Sequence, residues 1–156
     1  MDTEHNCSQA GGDSQQVAEQ LLDIVPRLRS LMAAEADAVA LTMTQLRVLA
    51  LLKCRPRLPS ELARELRVTP ATVSEVVDLL VRRGLVERGE EPEDRRSTPL
   101  RITSEGLALL EAARGRALAA FQRLLARLDP ADLARLASSL AALQEALRET
   151  GGGRQA

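Results

Sequence analysis

The stretch Leu58-Pro-Ser-Glu-Leu-Ala-Arg-Glu-Leu-Arg-Val-Thr-Pro-Ala-Thr-Val-Ser-Glu-Val-Val-Asp-Leu-Leu-Val-Arg-Arg-Gly-Leu-Val86 decides the fold. Pro59 suits the first turn of a short helix in which Leu62, Ala63 and Leu66 share a face. Thr69-Pro70 then sets an N-cap before a proline at the first helical position, and Val73, Val76, Val77 and Leu80 mark a buried stripe. Gly84 stops this second helix, with Arg82 and Arg83 in the last turn, where cations suit the helix dipole. Only Arg67-Val68 and the cap join the two helices. So short a connection sets them at the steep angle of a helix-turn-helix.

Beyond that stretch, Leu85-Val-Glu-Arg88 and Leu100-Arg-Ile-Thr103 are alternating runs around a polar segment, which predicts a β-hairpin, or wing. Upstream, Thr42 and Gln45 stand at capping-box spacing ahead of Leu46, Val48, Leu49 and Leu52, in a helix that runs out at Cys54-Arg-Pro56. Asp13 and Gln16 repeat that spacing ahead of Val17, Leu21, Ile24, Leu28 and Leu31. Downstream, Thr103 is the N-cap of a long helix carrying Leu107, Leu110, Leu118, Phe121, Leu124 and Leu125. Asp129-Pro130 opens the last helix, whose Leu133, Leu136, Leu140, Leu143 and Leu147 form a heptad seam. The expected fold class is mainly α with a small antiparallel β-wing.

With 156 residues, 45% of them apolar, the chain can bury one core, and with Phe121 as its one aromatic residue that core is aliphatic. No run of about 18 uncharged apolar residues occurs, so a soluble, cytoplasmic protein with no membrane partner is expected. Cys7 and Cys54 have no zinc-site spacing and His5 is the one histidine, so neither a metal site nor a cofactor is expected. An enzyme is not expected either. Residues 13–149 lack a histidine, a glycine-rich phosphate loop and any nucleophile-with-base spacing. The net charge of -1 gives no bulk attraction for nucleic acid, so that partner must be argued from local arrangement.

Packing Leu62, Leu66, Val73 and Val77 inward leaves Pro70, Ala71, Thr72, Ser74, Glu75 and Asp78 facing out, several of them small enough for close approach to a DNA groove. The amides at that helix start suit a phosphate, and Thr72 and Ser74 can donate or accept at base edges. Glu75 and Asp78 repel phosphate, which keeps open an alternative: a winged-helix protein-interaction adaptor that does not bind DNA specifically. In the hairpin, Glu90-Glu-Pro-Glu-Asp-Arg-Arg-Ser97 sets an arginine pair among acids. An Asp94 to Arg96 contact would hold the guanidinium in one geometry, as a narrow, electronegative minor groove requires.

Asp94-Arg-Arg-Ser-Thr-Pro-Leu-Arg-Ile-Thr103 resembles the wing signature of the MarR family, Asp-x-Arg followed by five residues and Leu-Thr, with Ile102 in the leucine place. The opening stretch also looks like that family's helix-turn-helix, and the resemblance spans residues of about 15 to 148. It implies a homodimeric transcriptional regulator, usually a repressor, on a pseudo-palindromic double-stranded DNA operator. By resemblance Arg96 enters the minor groove with Asp94 orienting it, Arg95 lies beside it, and Ser60, Thr69, Pro70, Ala71, Thr72 and Ser74 approach backbone or base edges. Glu75 departs from the basic or neutral residue of many relatives and bears on the particular operator; a glutamate there can accept from a cytosine amino group.

The implied map is a disordered leader over 1–12, a single MarR-like domain over 13–149 and a disordered tail over 150–156. Within the domain, 13–34 and 104–149 supply dimerisation helices and 42–103 the winged helix-turn-helix lobe. The family also implies a small-molecule effector or cysteine oxidation as trigger. Cys7, accessible in the leader near His5, is the redox-sensing thiol this suggests. Cys54 reads as a small, semi-buried hydrophobe.

Overall fold

Six helices and one hairpin follow from the local signals, in a computed structural model that describes residues 5–89 and 98–152, with side chains over 13–89 and 98–149. The helices are α1 (His5–Asp37), α2 (Met43–Cys54), α3 (Pro59–Leu66), α4 (Pro70–Arg82), α5 (Ser104–Leu125) and α6 (Pro130–Gly152). The strands are β1 (Val86–Arg88) and β2 (Leu100–Ile102). Two units divide the chain, residues 1–117 and residues 118–156.

In the first unit the Thr42 and Thr103 caps act as the sequence predicts. Thr42 accepts the Gln45 N–H through its hydroxyl at 3.3 Å while the Gln45 side chain accepts the Thr42 N–H at 2.8 Å, a closed capping box at the start of α2. Thr103 Oγ1 accepts the Gly106 N–H at 3.1 Å and donates to the Gly84 carbonyl at 2.7 Å, so one side chain caps α5 and ties it to the end of α4. Gly106 lies against the Leu85 backbone so closely that a Cβ there would overlap the Leu85 carbonyl oxygen.

The ends of α1, α3 and α4 share one device, in which a residue with positive φ lets the chain reverse and two amides reach back to the helix. At α4 it is Gly84, φ 70°, with Gly84 N–H on the Val81 carbonyl and Leu85 N–H on that of Leu80. At α3 it is Arg67, φ 56°, with Val68 N–H on the Ala63 carbonyl, and at α1 Ala40, φ 54°, with Leu41 N–H on the Ala36 carbonyl. Each following residue turns back toward the protein, and Leu41 and Leu85 are buried.

The core is aliphatic and centred on the helix-turn-helix. Leu62 and Leu66 of α3, Val73, Val77 and Leu80 of α4, and Val48, Leu49 and Leu52 of α2 pack with Leu85, Val86 and Leu100 of the hairpin. β1 and β2 pair antiparallel with Val86 opposite Ile102 and Arg88 opposite Leu100. Arg57 adds a bridge to the other edge of Leu100 through two backbone hydrogen bonds of 2.8 and 3.2 Å, fixing the start of β2 to the α2–α3 connection.

The second unit holds the end of α5 and all of α6, which opens where Asp129 Oδ1 accepts the Asp132 N–H at 2.8 Å. Leu118, Leu124, Leu133, Leu140, Leu143 and Leu147 are exposed, Leu147 at 63%.

Three expectations are corrected. α1 begins at His5, not at an Asp13 cap, so 5–12, read as a frayed leader, is helical, and α6 carries helix to Gly152, into the segment read as a tail. The extension is backward propagation from the helix that follows, which adds one hydrogen bond for each residue fixed, against the poor propensity of His5-Asn-Cys-Ser and of two glycines. Cys54 is exposed, on the outer side of α2 beside Lys53 and Arg55, because Leu52 takes the inward position at the helix end.

Candidate nucleic-acid interface

The outward face of the helix-turn-helix is built by its caps. Thr69 Oγ1 accepts the Thr72 N–H at 3.2 Å, and the two threonine hydroxyls lie 2.9 Å apart. Pro70 has no N–H and Thr72 has given its own to the cap, which leaves the Ala71 amide to meet an anion at this helix start. The sequence suggests a broader cradle of amides than this.

Pro70, Ala71, Ser74 and Glu75 are exposed and Thr72 is half-buried. Ser60, at the start of α3, meets Pro70, Ala71 and Ser74 along a groove of about 720 Å³. Four of the residues singled out in the sequence therefore share one concavity. Thr69 and Thr72 are engaged with each other at its edge, and Glu75 projects from α4 outside the groove lining. Asp94, Arg95 and Arg96 lie outside the described residues. Cys7 falls in the first turn of α1, and its side chain is likewise outside them.

Two charged residues also line the groove. Arg88, at the end of β1, donates through Nη2 to Asp78 Oδ1 of α4 at 2.6 Å, and both line the groove wall. Asp78 is thus ion-paired across the helix–hairpin junction, which removes most of the phosphate repulsion its lone charge suggests. The pairing is hard to read from sequence, because an interval of 10 residues exceeds the i+3 and i+4 contacts of one helix. The signal that finds it is the tight Gly84 reversal, which folds β1 back beside the last turns of α4.

Ion pairs also hold α3 at its angle. Arg55 donates to Glu61 at 2.8 Å, and the Glu61 carboxylate accepts the Leu58 N–H at 2.8 Å from the helix start. The Arg55 hydrogen bond first, and the Leu58 amide second, hold the Glu61 carboxyl below the usual carboxylate range. Arg57 pairs with Glu65 one helix turn further on. Among the described residues, no group of three or more His, Cys, Asp or Glu could hold a metal, and no helix is long and apolar enough to cross a membrane.

A helix-turn-helix whose second helix stands open beside a two-stranded wing defines a winged helix-turn-helix protein. Residues 41–97 match the model of the MarR family. The chain is 35% identical over 96 residues to the uncharacterized HTH-type transcriptional regulator YhbI of Bacillus subtilis, an alignment covering 60% of this chain and 62% of that protein, less than two thirds of its length. Among solved structures it resembles the YusO protein of Bacillus subtilis, with TM-score 0.68, 28% identity, and coverage of 89% of this chain and 97% of that one. It shares its fold with a MepR mutant of S. aureus bound to an oligodeoxyribonucleotide, with TM-score 0.63, 20% identity, and coverage of 84% and 97%.

Proposed function

We propose that this chain is a sequence-specific DNA-binding transcriptional regulator that acts as a homodimer on a pseudo-palindromic operator. The observation that carries the reading is the groove in which Ser60, Pro70, Ala71 and Ser74 converge at the open start of α4. Small side chains there let the helix backbone approach a major groove, and the hydroxyls of Ser60 and Ser74 match base-edge and phosphate acceptors. The oligonucleotide bound to MepR, a neighbour in fold, supports the same use of this architecture. Arg96, with Asp94 orienting it and Arg95 beside it, supplies the minor-groove contact in this reading.

Dimerisation is supported by the apolar side chains that the single chain leaves uncovered. Val17, Leu21, Leu22, Ile24 and Val25 are exposed on α1, and the α6 leucines are exposed in their own unit. Surfaces of this kind are covered by a partner in most soluble proteins, and a second copy supplies the two-fold symmetry that matches an operator of two half-sites. A dimer seated across a promoter blocks the polymerase, so repression is the simplest outcome, relieved by a small-molecule effector or an oxidative stress.

A fluorescence anisotropy titration with labelled duplex from upstream of the coding sequence tests the reading. Nanomolar-range binding that weakens steeply between about 50 and 200 mM salt is expected, because each neutralised phosphate releases counterions. Binding indifferent to salt, or none at all, contradicts it.

A further inference from the structure

We infer that Glu75 is a specificity-determining residue that accepts a hydrogen bond from the amino group of a cytosine in each half of the operator. The assignment rests on the DNA-binding reading above and adds to it the identity of one base pair. On α4, Ala71, Glu75, Asp78 and Arg82 follow one another at intervals of four, three and four residues and so form one line along the helix. That line lies opposite the buried Val73, Val77 and Leu80, on the side of α4 that a major groove meets.

Two carboxylates stand on the line, and their surroundings differ. Asp78 accepts from Arg88 at 2.6 Å and is committed to the junction with β1. Glu75 is exposed, and among the described residues no hydrogen bond or ion pair engages it. Its own helix supplies no cation. The residues three and four places to either side are Ala71, Thr72, Asp78 and Leu79, one of them a like charge, and Arg82 is two turns away. The Thr72 hydroxyl lies 2.9 Å from that of Thr69, in the cap. A solvated helix face ordinarily answers its acids with lysine or arginine at those intervals.

Between two phosphate strands an unanswered acid is unfavourable on most sequences. A carboxylate only accepts, whereas guanine shows N7 and O6 in the major groove and thymine shows O4, all of them acceptors. The donors on that edge are the amino groups of cytosine and adenine. In adenine the N7 lone pair lies beside the amino group and repels the second carboxylate oxygen, while cytosine has a C–H there. Cytosine is therefore the base that turns Glu75 from repulsive to attractive. With any other base the repulsion stays uncompensated, so one side chain both weakens non-specific binding and selects a base pair.

The test uses wild type, Glu75→Gln, Glu75→Ala and Asp78→Asn, each to select duplexes from a random pool. Affinities are then measured by anisotropy on the duplex that wild type selects and on a fluorescein-labelled duplex of mixed sequence, about 30 base pairs long. Wild type is expected to enrich cytosine at one fixed position of each half-site. Glu75→Gln gains a donor and is expected to move that position away from cytosine toward adenine, whose edge a glutamine amide matches, with the other positions unchanged. Glu75→Ala is expected to level the preference there and to lower the ratio of its affinities for the two duplexes about tenfold. Asp78→Asn is expected to keep the cytosine. Circular dichroism melts establish that each variant is folded.

If Glu75→Gln and Glu75→Ala select the bases of wild type at every position, Glu75 is a solvated surface charge and the inference is overturned. A cytosine lost in Asp78→Asn and kept in Glu75→Ala gives the reading to Asp78 and overturns it too. If wild type enriches a motif in which no cytosine depends on residue 75, this inference fails alone. If wild type binds no duplex and enriches nothing, the DNA-binding reading fails and this inference with it. Should Glu75→Gln melt below the assay temperature, Glu75→Ala decides by whether the preference at that position is levelled or retained.

Discussion

A methyl group at position 106 has nowhere to go, because the Leu85 carbonyl already occupies the space. Gly106→Ala forces α5 away from the hairpin and breaks the Thr103 cap geometry, and is expected to cost about 3 kcal/mol in chemical denaturation. A loss below about 0.5 kcal/mol would show that the helix start and the Leu85 backbone are not held together. Arg67 presents the opposite case. It holds a left-handed conformation that glycine adopts without strain, in the turn between α3 and α4. Arg67→Gly is therefore expected to raise stability by up to about 1 kcal/mol, and a destabilised variant would indicate that the arginine side chain supports the turn.

At the level of elements, the start of α3 is sensitive to acid. The Glu61 carboxyl is held low by Arg55 and the Leu58 amide, so its contribution is present above the unfolded carboxylate pKa and fades as pH falls through the lower folded value. Thermal melts between about pH 5 and 3 should thus show a steeper loss for wild type than for Glu61→Gln, and parallel curves would deny Glu61 this role. The helices were legible in the sequence wherever a side chain closes a cap, as at Thr42, Thr69, Thr103 and Asp129. Their ends were legible where glycine supplies the positive φ, at Gly84, and hidden at Ala40 and Arg67, whose identities announce no such backbone. The α1 start was misread because Asp13 and Gln16 mimic a cap inside a longer helix. The groove residues of α4 followed from the inward valine stripe. The Asp78–Arg88 pair and the Arg57 bridge did not, since the first joins elements across a reversal, the second joins residues far apart in the chain, and neither leaves a periodic trace.

For the whole molecule, dimerisation and DNA binding are one proposition, because a single recognition helix reads half a site and two-fold symmetry supplies the other half. The exposed leucines of α6 make this testable. Leu143→Glu places a charge on the uncovered seam, and it is expected to shift the mass seen by light scattering from dimer to monomer and to lower DNA affinity with it. A variant that stays dimeric would move the interface elsewhere. The central claim is tested most directly by selecting duplexes from a random pool with the purified protein and measuring the salt dependence of the winners. An enriched inverted repeat is expected, its half-sites about one helical turn apart, bound more weakly as salt rises. A pool left without a motif after selection, or retention indifferent to salt, would contradict it.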